Sequence, residues 1–361
     1  MGTGKAAMQF DKQVKVIIVG AGPIGLEIGA ALKRQGVDYL QFDAGQIGQT
    51  FTWWPRNTRF FSTTERIAIA GFPIQTQDQD HITGEMYLAY LRGIVERLDL
   101  QVQTYERVCG ITRNESGFQV VTAHRGQDHF YRSDVVILAT GDMHRPRRLG
   151  VPGEDLPHVS HYLSDPHRYF RTDLLIVGGR NSAVEAALRC FRIGARVSIS
   201  YRRAAFDSEY VKPHLLPDIE AQIKNGNMTF LHGTEVLEIT PGFVELQHTE
   251  TDVVEQREAD FVLLCTGYEA DQSLMEGIGV TLEGELRKPV HNPDTMETNI
   301  PGLYVAGTAV AGIQSRYTVF IENSHQHVGR IVHAITGSWP EELGTVPGRT
   351  YDLDFEDYKR N

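Results

Sequence analysis

The sequence predicts an α/β protein with two Rossmann-like dinucleotide-binding domains of the three-layer ββα type. Two observations predict this fold. A glycine-rich turn follows an apolar strand and opens a helix twice in the 361-residue chain, at Gly20 and again at Gly178. After each turn comes another apolar strand that ends in Thr-Gly, at Gly141 and at Gly267. Each unit is therefore expected to follow the same βαβ plan, with the second unit inserted into the first.

The first turn has the full pattern G-x-G-x-x-G, with Gly20, Gly22 and Gly25 as its glycines and Pro23 at the start of the helix. Glycine is required because the strand turns sharply, the backbone approaches a pyrophosphate and the helix packs against the strand. The pyrophosphate would lie on free N–H groups at the helix N-terminus. Asp43 follows the second strand, 23 residues after Gly20, where a carboxylate accepts hydrogen bonds from a ribose without a 2′-phosphate. These features predict FAD at the first turn.

The second turn differs at two positions, since Arg180 and Ala183 replace the second and third glycines. The same offset of 23 residues from Gly178 ends at a short basic segment, Tyr201, Arg202 and Arg203. Guanidinium groups there would pair with a 2′-phosphate, which a carboxylate would repel. The second turn is therefore predicted to bind NADPH, and the Arg180 side chain must either turn away from the pyrophosphate or contact the phosphates itself.

Composition restricts the partners and the chemistry. A net charge of −11 argues against a general nucleic-acid or anionic-membrane binder, and no apolar stretch has the length of a membrane span. The default prediction is a soluble cytoplasmic protein. The cysteines, Cys109, Cys190 and Cys265, form no C-x-x-C and are expected to be buried small hydrophobes. No cluster has metal-ligand spacing, so no metal is predicted.

The remaining sequence indicates how the units are arranged along the chain. Residues 51–66 are dense in aromatics, which fits a core segment or a wall beside a flavin ring equally well. A helix is predicted over 84–98, and a small antiparallel sheet up to Phe130. The predicted ranges are 1–150 with 290–340 for FAD, 151–289 for NADPH and 341–361 for a C-terminal tail, which either wraps a partner or stays loose.

Several longer motifs resemble one known group of proteins. The chain resembles the two-dinucleotide-domain flavoprotein disulfide reductases, and among these the bacillithiol-disulfide reductase family, over roughly residues 14 to 335. The motifs that carry the resemblance are residues 151–162, 178–188, Val211-Lys212-Pro213, 216–220 and Phe320-Ile321-Glu322-Asn323. The resemblance implies a cytoplasmic homo-oligomer, a dimer or a tetramer.

The resemblance also implies which residues contact the cofactors. A basic residue at the second glycine of the NADPH turn is common in that family, so Arg180 is typical of it. The implied FAD set is Gly20, Gly22, Pro23, Gly25, Asp43, Thr140, Gly141, Gly307 and Thr308. The implied NADPH set is Gly178, Arg180, Asn181, Ser182, Ala183, Tyr201, Arg202, Arg203 and Gly267.

Two positions depart from the family pattern. Ile24 occupies the position of the family's proposed redox cysteine, and isoleucine cannot form a mixed disulfide. Thr308 stands where the wider superfamily has an acid that contacts the ribityl chain of the flavin. Binding of FAD is expected to survive both departures, whereas they weaken the inference about the substrate.

The leading hypothesis is an FAD-dependent oxidoreductase that takes hydride from NADPH and passes electrons to a small acceptor, such as a low-molecular-weight thiol disulfide. The catalytic residues are not identified by the sequence. His325 and His327 are weak candidates for the proton donor, and a satisfied surface histidine is the more common explanation for either. The alternatives are a flavin monooxygenase, a ferredoxin or flavodoxin reductase, and a non-catalytic redox regulator.

Overall fold

The computed structural model describes residues 10–77, 81–314 and 318–344. Over these residues the strands, numbered in chain order, are β1 (Lys12–Val19), β2 (Tyr39–Phe42), β3 (Val102–Gln103), β4 (Arg107–Asn114), β5 (Gly117–His124), β6 (Gln127–Leu138), β7 (Arg145–Pro146), β8 (Val159–Ser160), β9 (Asp173–Val177), β10 (Arg196–Tyr201), β11 (Thr229–His232), β12 (Thr234–Thr240), β13 (Gly242–His248), β14 (Val254–Ala259), β15 (Phe261–Leu264), β16 (Tyr268–Glu269), β17 (Leu282–Glu283), β18 (Lys288–Pro289) and β19 (Leu303–Val305).

The α-helices of the same residues are α1 (Pro23–Arg34), α2 (Thr64–Ile67), α3 (Gly84–Leu98), α4 (Asn181–Arg192), α5 (Leu216–Lys224), α6 (Ser273–Ile278) and α7 (Ile321–Thr336). The predicted helix over 84–98 is confirmed, and the Thr83 hydroxyl caps it by accepting a hydrogen bond from the Met86 N–H. Among the described helices, none combines the length and the apolar character needed to cross a bilayer.

The chain divides into two compact units. The first unit comprises residues 1–52, 57–144 and 270–361, so far as these are described, and the second comprises 53–56 and 145–269. The range 151–289 was expected from the sequence for the second unit. The main segment of this unit instead begins at Arg145 and ends at Glu269. The physical reason is that Met275 on α6 and Val280 after it pack into the hydrophobic core of the first unit.

The first unit contains a parallel sheet in the order β3-β2-β1-β6, and β19 pairs in parallel with β6. Strands β1 and β2 are mostly or wholly buried and consist largely of Val, Ile, Leu and Phe, as expected for a parallel sheet covered on both faces. The strand order is that of a dinucleotide-binding unit. It brings the carboxyl ends of β1, β2, β6 and β19 to one edge of the sheet.

The predicted small antiparallel sheet is not separate. Residues 127–133 of the long strand β6 pair with β5, which pairs with β4. Residues 131–138 of β6 pair with β1, and residues 136–138 pair with β19. The twelve residues of β6 are enough to serve both pairings. One strand therefore links the antiparallel hairpin to the parallel sheet.

The second unit repeats the plan with the order β11-β10-β9-β15-β8, all parallel. Here the antiparallel strands β12, β13 and β14 form a sheet of their own. Helix α4 packs on the parallel sheet through buried residues that include Val184 and Leu188. The prediction of one shared plan for both units is confirmed in the strand order.

Two residues of the aromatic segment 51–66, Phe51 and Phe60, are buried in the core, whereas Phe61 is 43% exposed. The rings of Phe51, Phe60 and Tyr87 meet at centroid distances of 4.8 to 5.5 Å. Trp53, which belongs to the second unit, lies 6.0 Å from the ring of Tyr162. Of the predicted tail, residues 341–344 are described, and Glu342 forms an ion pair of 2.7 Å with Arg34. Residues 345–361 lie outside the described part of the chain.

Candidate functional site

The three glycines of the first turn each meet a different steric demand. Gly20 has a φ of +110°, and a Cβ there would overlap the carbonyl oxygen of Ala139. A Cβ on Gly25 would overlap the carbonyl oxygen of Gly20, so helix and strand approach closely. A Cβ on Gly22 would meet nothing within 4 Å, and Pro23 begins α1 immediately after it. The backbone at this helix N-terminus is thus open to a pyrophosphate, as the sequence predicted.

Asp43 lies at the carboxyl end of β2 and is anchored to the same turn. Its Oδ2 accepts a hydrogen bond of 2.6 Å from Ala21 N–H, and its Oδ1 one of 2.8 Å from Gly45 N–H. Burial raises the pKa of Asp43, and these two hydrogen bonds oppose that shift. Each carboxylate oxygen can accept a further hydrogen bond. Asp43 therefore fits a ribose diol beside the turn.

Residues far apart in the sequence meet at this edge of the sheet. Gly307 follows β19 and lies beside Ile24, since a Cβ on Gly307 would be 3.5 Å from the Ile24 Cβ. Gly141 lies beside Thr308, whose Oγ1 would be 3.8 Å from a Cβ on Gly141. Thr140, just before Gly141, is exposed. The structure thus brings the predicted FAD residues of three separate segments together.

The sequence reasoning missed a buried carboxylate in the same place. Asp142 directly follows Gly141 and is 8% exposed. Its Oδ2 accepts a hydrogen bond of 2.8 Å from Gln314 Nε2. Burial raises the pKa of Asp142, while hydrogen bonds from the Thr308 and Gln314 side chains oppose the shift. The position next to Thr-Gly was a signal for Asp142, but nothing local in the sequence pointed to Gln314.

Gln41 is a second residue that sequence reasoning missed. It is fully buried in β2, and its Nε2 donates a hydrogen bond of 2.8 Å to the Gly20 carbonyl oxygen. This contact ties the second strand to the glycine turn. A glutamine within an otherwise apolar strand was the available signal, because a buried amide needs a hydrogen-bond partner.

At the second turn, close contacts again require glycine at positions 178 and 179, while Ala183 replaces the third glycine. Gly178 has a φ of +136°, and a Cβ there would press on the carbonyl oxygen of Cys265 at the end of β15. A Cβ on Gly179 would overlap the ring of Tyr201, which is buried below the turn. Ala183 is 1% exposed inside α4, so a methyl group is accommodated where the first turn has its third glycine.

The predicted NADPH residues surround this turn. Arg180 is the N-cap residue of α4, and its guanidinium carbon lies 4.5 Å above the ring of Tyr210. Arg203 forms an ion pair of 3.2 Å with Asp207. Arg202 and Ser182 are exposed. Arg202 and Arg203 directly follow β10, the second strand of this unit, whereas Arg180 precedes α4.

Two more predicted residues complete the second turn. The Asn181 Oδ1 accepts a hydrogen bond of 2.8 Å from Lys212 N–H, which ties the helix start to the segment before α5. Gly267 has a φ of +91°, and a Cβ there would meet nothing within 4 Å. The backbone at Gly267, beyond the carboxyl end of β15, therefore has open space beside it.

His325 is held in a buried cluster, so the expectation of a surface histidine is wrong for it. Its Nδ1 lies 2.6 Å from Glu27 Oε2 and its Nε2 lies 3.0 Å from the carbonyl oxygen of Arg66. Both ring nitrogens face acceptors, which suits the doubly protonated imidazolium. Burial opposes the charge, but Glu27 and the Arg66 carbonyl outweigh it and raise the pKa of His325.

His327 is also not a surface residue, because it is 7% exposed on α7. Burial, followed by the nearby Arg330, lowers the pKa of His327 to about 4. The ring is therefore neutral near pH 7 and a poor reservoir for a proton. His325 is occupied by two protein acceptors. We assign the proton-donor role to neither histidine.

The three cysteines are free and do not form a pair. Burial raises the pKa of Cys190 and of Cys265 to about 12, so their thiolates are disfavoured. Cys109 is exposed, which corrects the prediction that it is buried. It lies beside a register irregularity between Val108 and Gly110, where β4 departs from regular pairing. Among the described residues, no group of histidine, cysteine and acidic side chains has the arrangement of a metal site.

The two turns define the class of protein. One chain holds two dinucleotide-binding units, with a carboxylate after the second strand of the first and arginines after the second strand of the other. This is the arrangement of a flavin- and pyridine-nucleotide-dependent oxidoreductase.

Comparison with known proteins agrees with this class. Residues 17–307 match the family described as pyridine nucleotide-disulphide oxidoreductase. The chain is 35% identical over 323 residues to the bacilliredoxin reductase Bdr of Bacillus subtilis (strain 168), covering 90% of this chain and 98% of that protein.

Two solved structures are similar along most of the chain. The bacillithiol disulfide reductase Bdr (YpdA) of Bacillus cereus has a TM-score of 0.85 at 34% identity, covering 90% of this chain and 98% of that one. The Staphylococcus aureus protein of the same name has a TM-score of 0.83 at 30% identity, covering 90% and 99%.

The chain belongs to the pyridine nucleotide-disulphide oxidoreductase family, and within it to the bacilliredoxin reductase group. It is an FAD-dependent, NADPH-linked oxidoreductase with the thioredoxin-reductase-like fold. The resemblance to bacillithiol-disulfide reductases drawn from the sequence motifs is confirmed.

We expect Asp43→Ala to weaken the retention of FAD. A hydrogen bond to a charged group contributes about 1.5–3 kcal/mol, so the FAD dissociation constant should rise about tenfold or more. Dilution releases FAD from the protein, and the increase in flavin fluorescence measures this constant. Asp38→Ala is the matched control, because Asp38 is an exposed carboxylate just before the same strand. Equal FAD loss in both variants would contradict the role of Asp43.

We expect His325→Gln to destabilise the protein more at pH 6 than at pH 9. The folded pKa of His325 is raised, so its contribution is complete below the unfolded value of about 6.5 and is lost as the pH rises through the folded pKa. Thermal unfolding of both proteins across this range measures the difference. His333→Gln, on the exposed side of α7, is the control. A pH-independent difference would show that no ion pair with Glu27 is involved.

Proposed function

We propose that this protein reduces a small thiol disulfide, in the class of bacillithiol disulfide, with NADPH as the reductant. The observation that carries the transfer of hydride from NADPH to FAD is the opposite charge beside the two glycine turns, Asp43 at the first and Arg202 with Arg203 at the second. The relatives support the acceptor class, since their names specify bacilliredoxin and bacillithiol disulfide reduction.

The proposed FAD site is the edge of the first unit where three segments meet. The turn after β1 would hold the pyrophosphate, Asp43 the ribose, and the segments after β6 and β19 would line the remainder. Its residues are Gly20, Gly22, Pro23, Gly25, Asp43, Thr140, Gly141, Gly307 and Thr308. We add Asp142, which supports Thr308 through a hydrogen bond.

The proposed NADPH site is the corresponding edge of the second unit. The start of α4 would hold the pyrophosphate, and the arginines after β10 would hold the 2′-phosphate. Tyr201 would support the site indirectly, because its ring packs against the backbone of Gly179. The other residues of the proposed site are Gly178, Arg180, Asn181, Ser182, Ala183, Arg202, Arg203 and Gly267.

The net reaction is NADPH + H⁺ + RSSR → NADP⁺ + 2 RSH. FAD, when bound, supplies the two-electron step between the nicotinamide and the disulfide. The chain itself supplies binding and orientation, because its three cysteines are unpaired and Ile24 replaces a thiol beside Gly307. The proposal therefore contains no mixed disulfide with the protein.

The proposal extends to location and assembly. We propose a cytoplasmic homo-oligomer, a dimer or a tetramer, as the family resemblance implies. The three free cysteines support a reducing compartment, because disulfides persist mainly in oxidising ones.

We expect NADPH to bleach the visible flavin band of the purified protein under anaerobic conditions, and bacillithiol disulfide to restore it promptly. Stopped-flow absorbance follows both half-reactions. Oxidised bacilliredoxin, ferredoxin and oxygen are tested in parallel as acceptors. Recovery with ferredoxin or oxygen alone would refute the proposed acceptor and favour a carrier reductase or a monooxygenase. If NADPH does not bleach the flavin band, the remaining alternative is a non-catalytic redox regulator.

We expect the double variant with Arg202→Ala and Arg203→Ala to raise the KM for NADPH about 30-fold while changing that for NADH little. Losing charge-assisted contacts to a phosphate costs about 2 kcal/mol, and 1.4 kcal/mol is tenfold. Steady-state assays with both nucleotides measure the change. The control replaces Arg192 and Arg196, whose side chains are 62% and 60% exposed. An equal loss for NADH and NADPH would refute the 2′-phosphate assignment.

A further inference from the structure

One aromatic ring of the second unit faces two cations from different elements. Tyr210 lies between β10 and α5, and the guanidinium carbon of Arg180 stands 4.5 Å from its ring centroid. The guanidinium carbon of Arg203 stands 5.4 Å from the same centroid. Both distances are within the range of cation–π attraction, about 6 Å. The ring therefore joins the start of α4 to the end of β10.

The segment that carries Tyr210 is fixed at several points. The Asp207 carbonyl oxygen accepts hydrogen bonds from Tyr210 N–H at 2.9 Å and from Val211 N–H at 3.0 Å. Val211 is 2% exposed and packs in the core of the second unit. On its other side, Lys212 N–H donates to Asn181 Oδ1 at 2.8 Å. The backbone that carries the ring is thus fixed by contacts other than those with the arginines.

Asp207 also fixes one of the arginines directly. Its Oδ2 accepts from Arg203 Nη1 at 3.2 Å, and its Oδ1 accepts from Glu209 N–H at 2.9 Å. Arg203 is consequently bound on one side by a carboxylate and on the other by the ring of Tyr210. Arg180 reaches the same ring from the N-cap position of α4.

Holding two guanidinium groups near one point is unfavourable without compensation, because like charges repel and long side chains lose rotamer freedom. The negative face of an aromatic ring reduces the repulsion, and the ring fixes the side chains before any ligand binds. A ligand that then meets ordered donors loses less entropy on binding. A phosphate group can accept hydrogen bonds from both of the ordered guanidinium groups.

We propose that Tyr210 is a positioning residue for the 2′-phosphate of NADPH. Its ring holds Arg180 and Arg203 together, so that an arginine of the glycine turn and an arginine of the strand end act on one phosphate. Selectivity for NADPH over NADH then depends on a side chain that does not itself bind the phosphate. This inference rests on the proposed NADPH site.

The test uses the FAD-loaded full chain and two nucleotide fragments, 2′,5′-ADP and 5′-AMP, which differ in the 2′-phosphate. Isothermal titration gives their dissociation constants without any redox step. We expect Tyr210→Leu to weaken 2′,5′-ADP binding about five- to tenfold, the sum of two exposed cation–π contacts. Binding of 5′-AMP should change less than about twofold. Tyr210→Phe, which keeps the ring, should bind both fragments as the parent does.

Two further variants separate positioning from a general structural effect. Pentafluorophenylalanine at position 210 keeps the ring size and reverses its charge distribution, and it should weaken 2′,5′-ADP binding as leucine does. In a background with both Arg180→Met and Arg203→Met, Tyr210→Leu should have no additional effect. This result is expected because the ring would no longer have a guanidinium to hold.

Each contrary result has a distinct meaning. If Tyr210→Leu and the fluorinated ring leave 2′,5′-ADP binding unchanged, or weaken both fragments equally, the role of Tyr210 is refuted and the proposed NADPH site stands. If the parent protein binds 2′,5′-ADP no more tightly than 5′-AMP, the proposed NADPH site itself is refuted, together with this inference. If Tyr210→Phe fails as leucine does, the hydroxyl rather than the ring face is responsible, and the inference is overturned.

Discussion

The close approach of backbone to backbone at the end of the first strand is the constraint on which each unit depends. In the first unit a Cβ on Gly20 would overlap the Ala139 carbonyl oxygen, and in the second a Cβ on Gly178 would overlap the Cys265 carbonyl oxygen. Both glycines have positive φ values, +110° and +136°. A side chain at Gly20 would separate β1 from β6, and a side chain at Gly178 would separate β9 from β15. Without that contact, the strand ends that form each candidate site would not meet.

The two units use this shared frame for different ligands by changing a few residues around it. At the first turn the second glycine leaves open space, while at the second turn Arg180 fills that position and lies over Tyr210. After the second strand, the first unit has Asp43 and the second has Arg203. In the proposed sites, charge of opposite sign at equivalent places distinguishes a bare ribose from a phosphorylated one. The frame is therefore common, and the discrimination is local.

In the proposed function, the chemistry of the chain is carried by bound groups rather than by its own thiols. Cys190 and Cys265 are held as thiols by burial, and Ile24 lies where the family has its proposed redox cysteine. The titratable side chains at the first site, Asp43 and Asp142, are anchored by hydrogen bonds to neighbouring groups. In the proposed site both would position the cofactor, as expected of a protein that binds cofactors and orients them.

The sequence alone determined the fold class and the two glycine turns, and it located Asp43 and the arginines after the second strand of each unit, because each is a local pattern of strand, turn and helix with a fixed offset. It could not predict the contact between Asp142 and Gln314 or the contact between Tyr210 and Arg180, since these pairs join segments with no fixed spacing. It also misjudged Cys109, His325 and His327, because burial depends on how strands and helices pack. Only the tertiary structure decides such contacts, because they form when distant segments are brought to the same edge of a sheet.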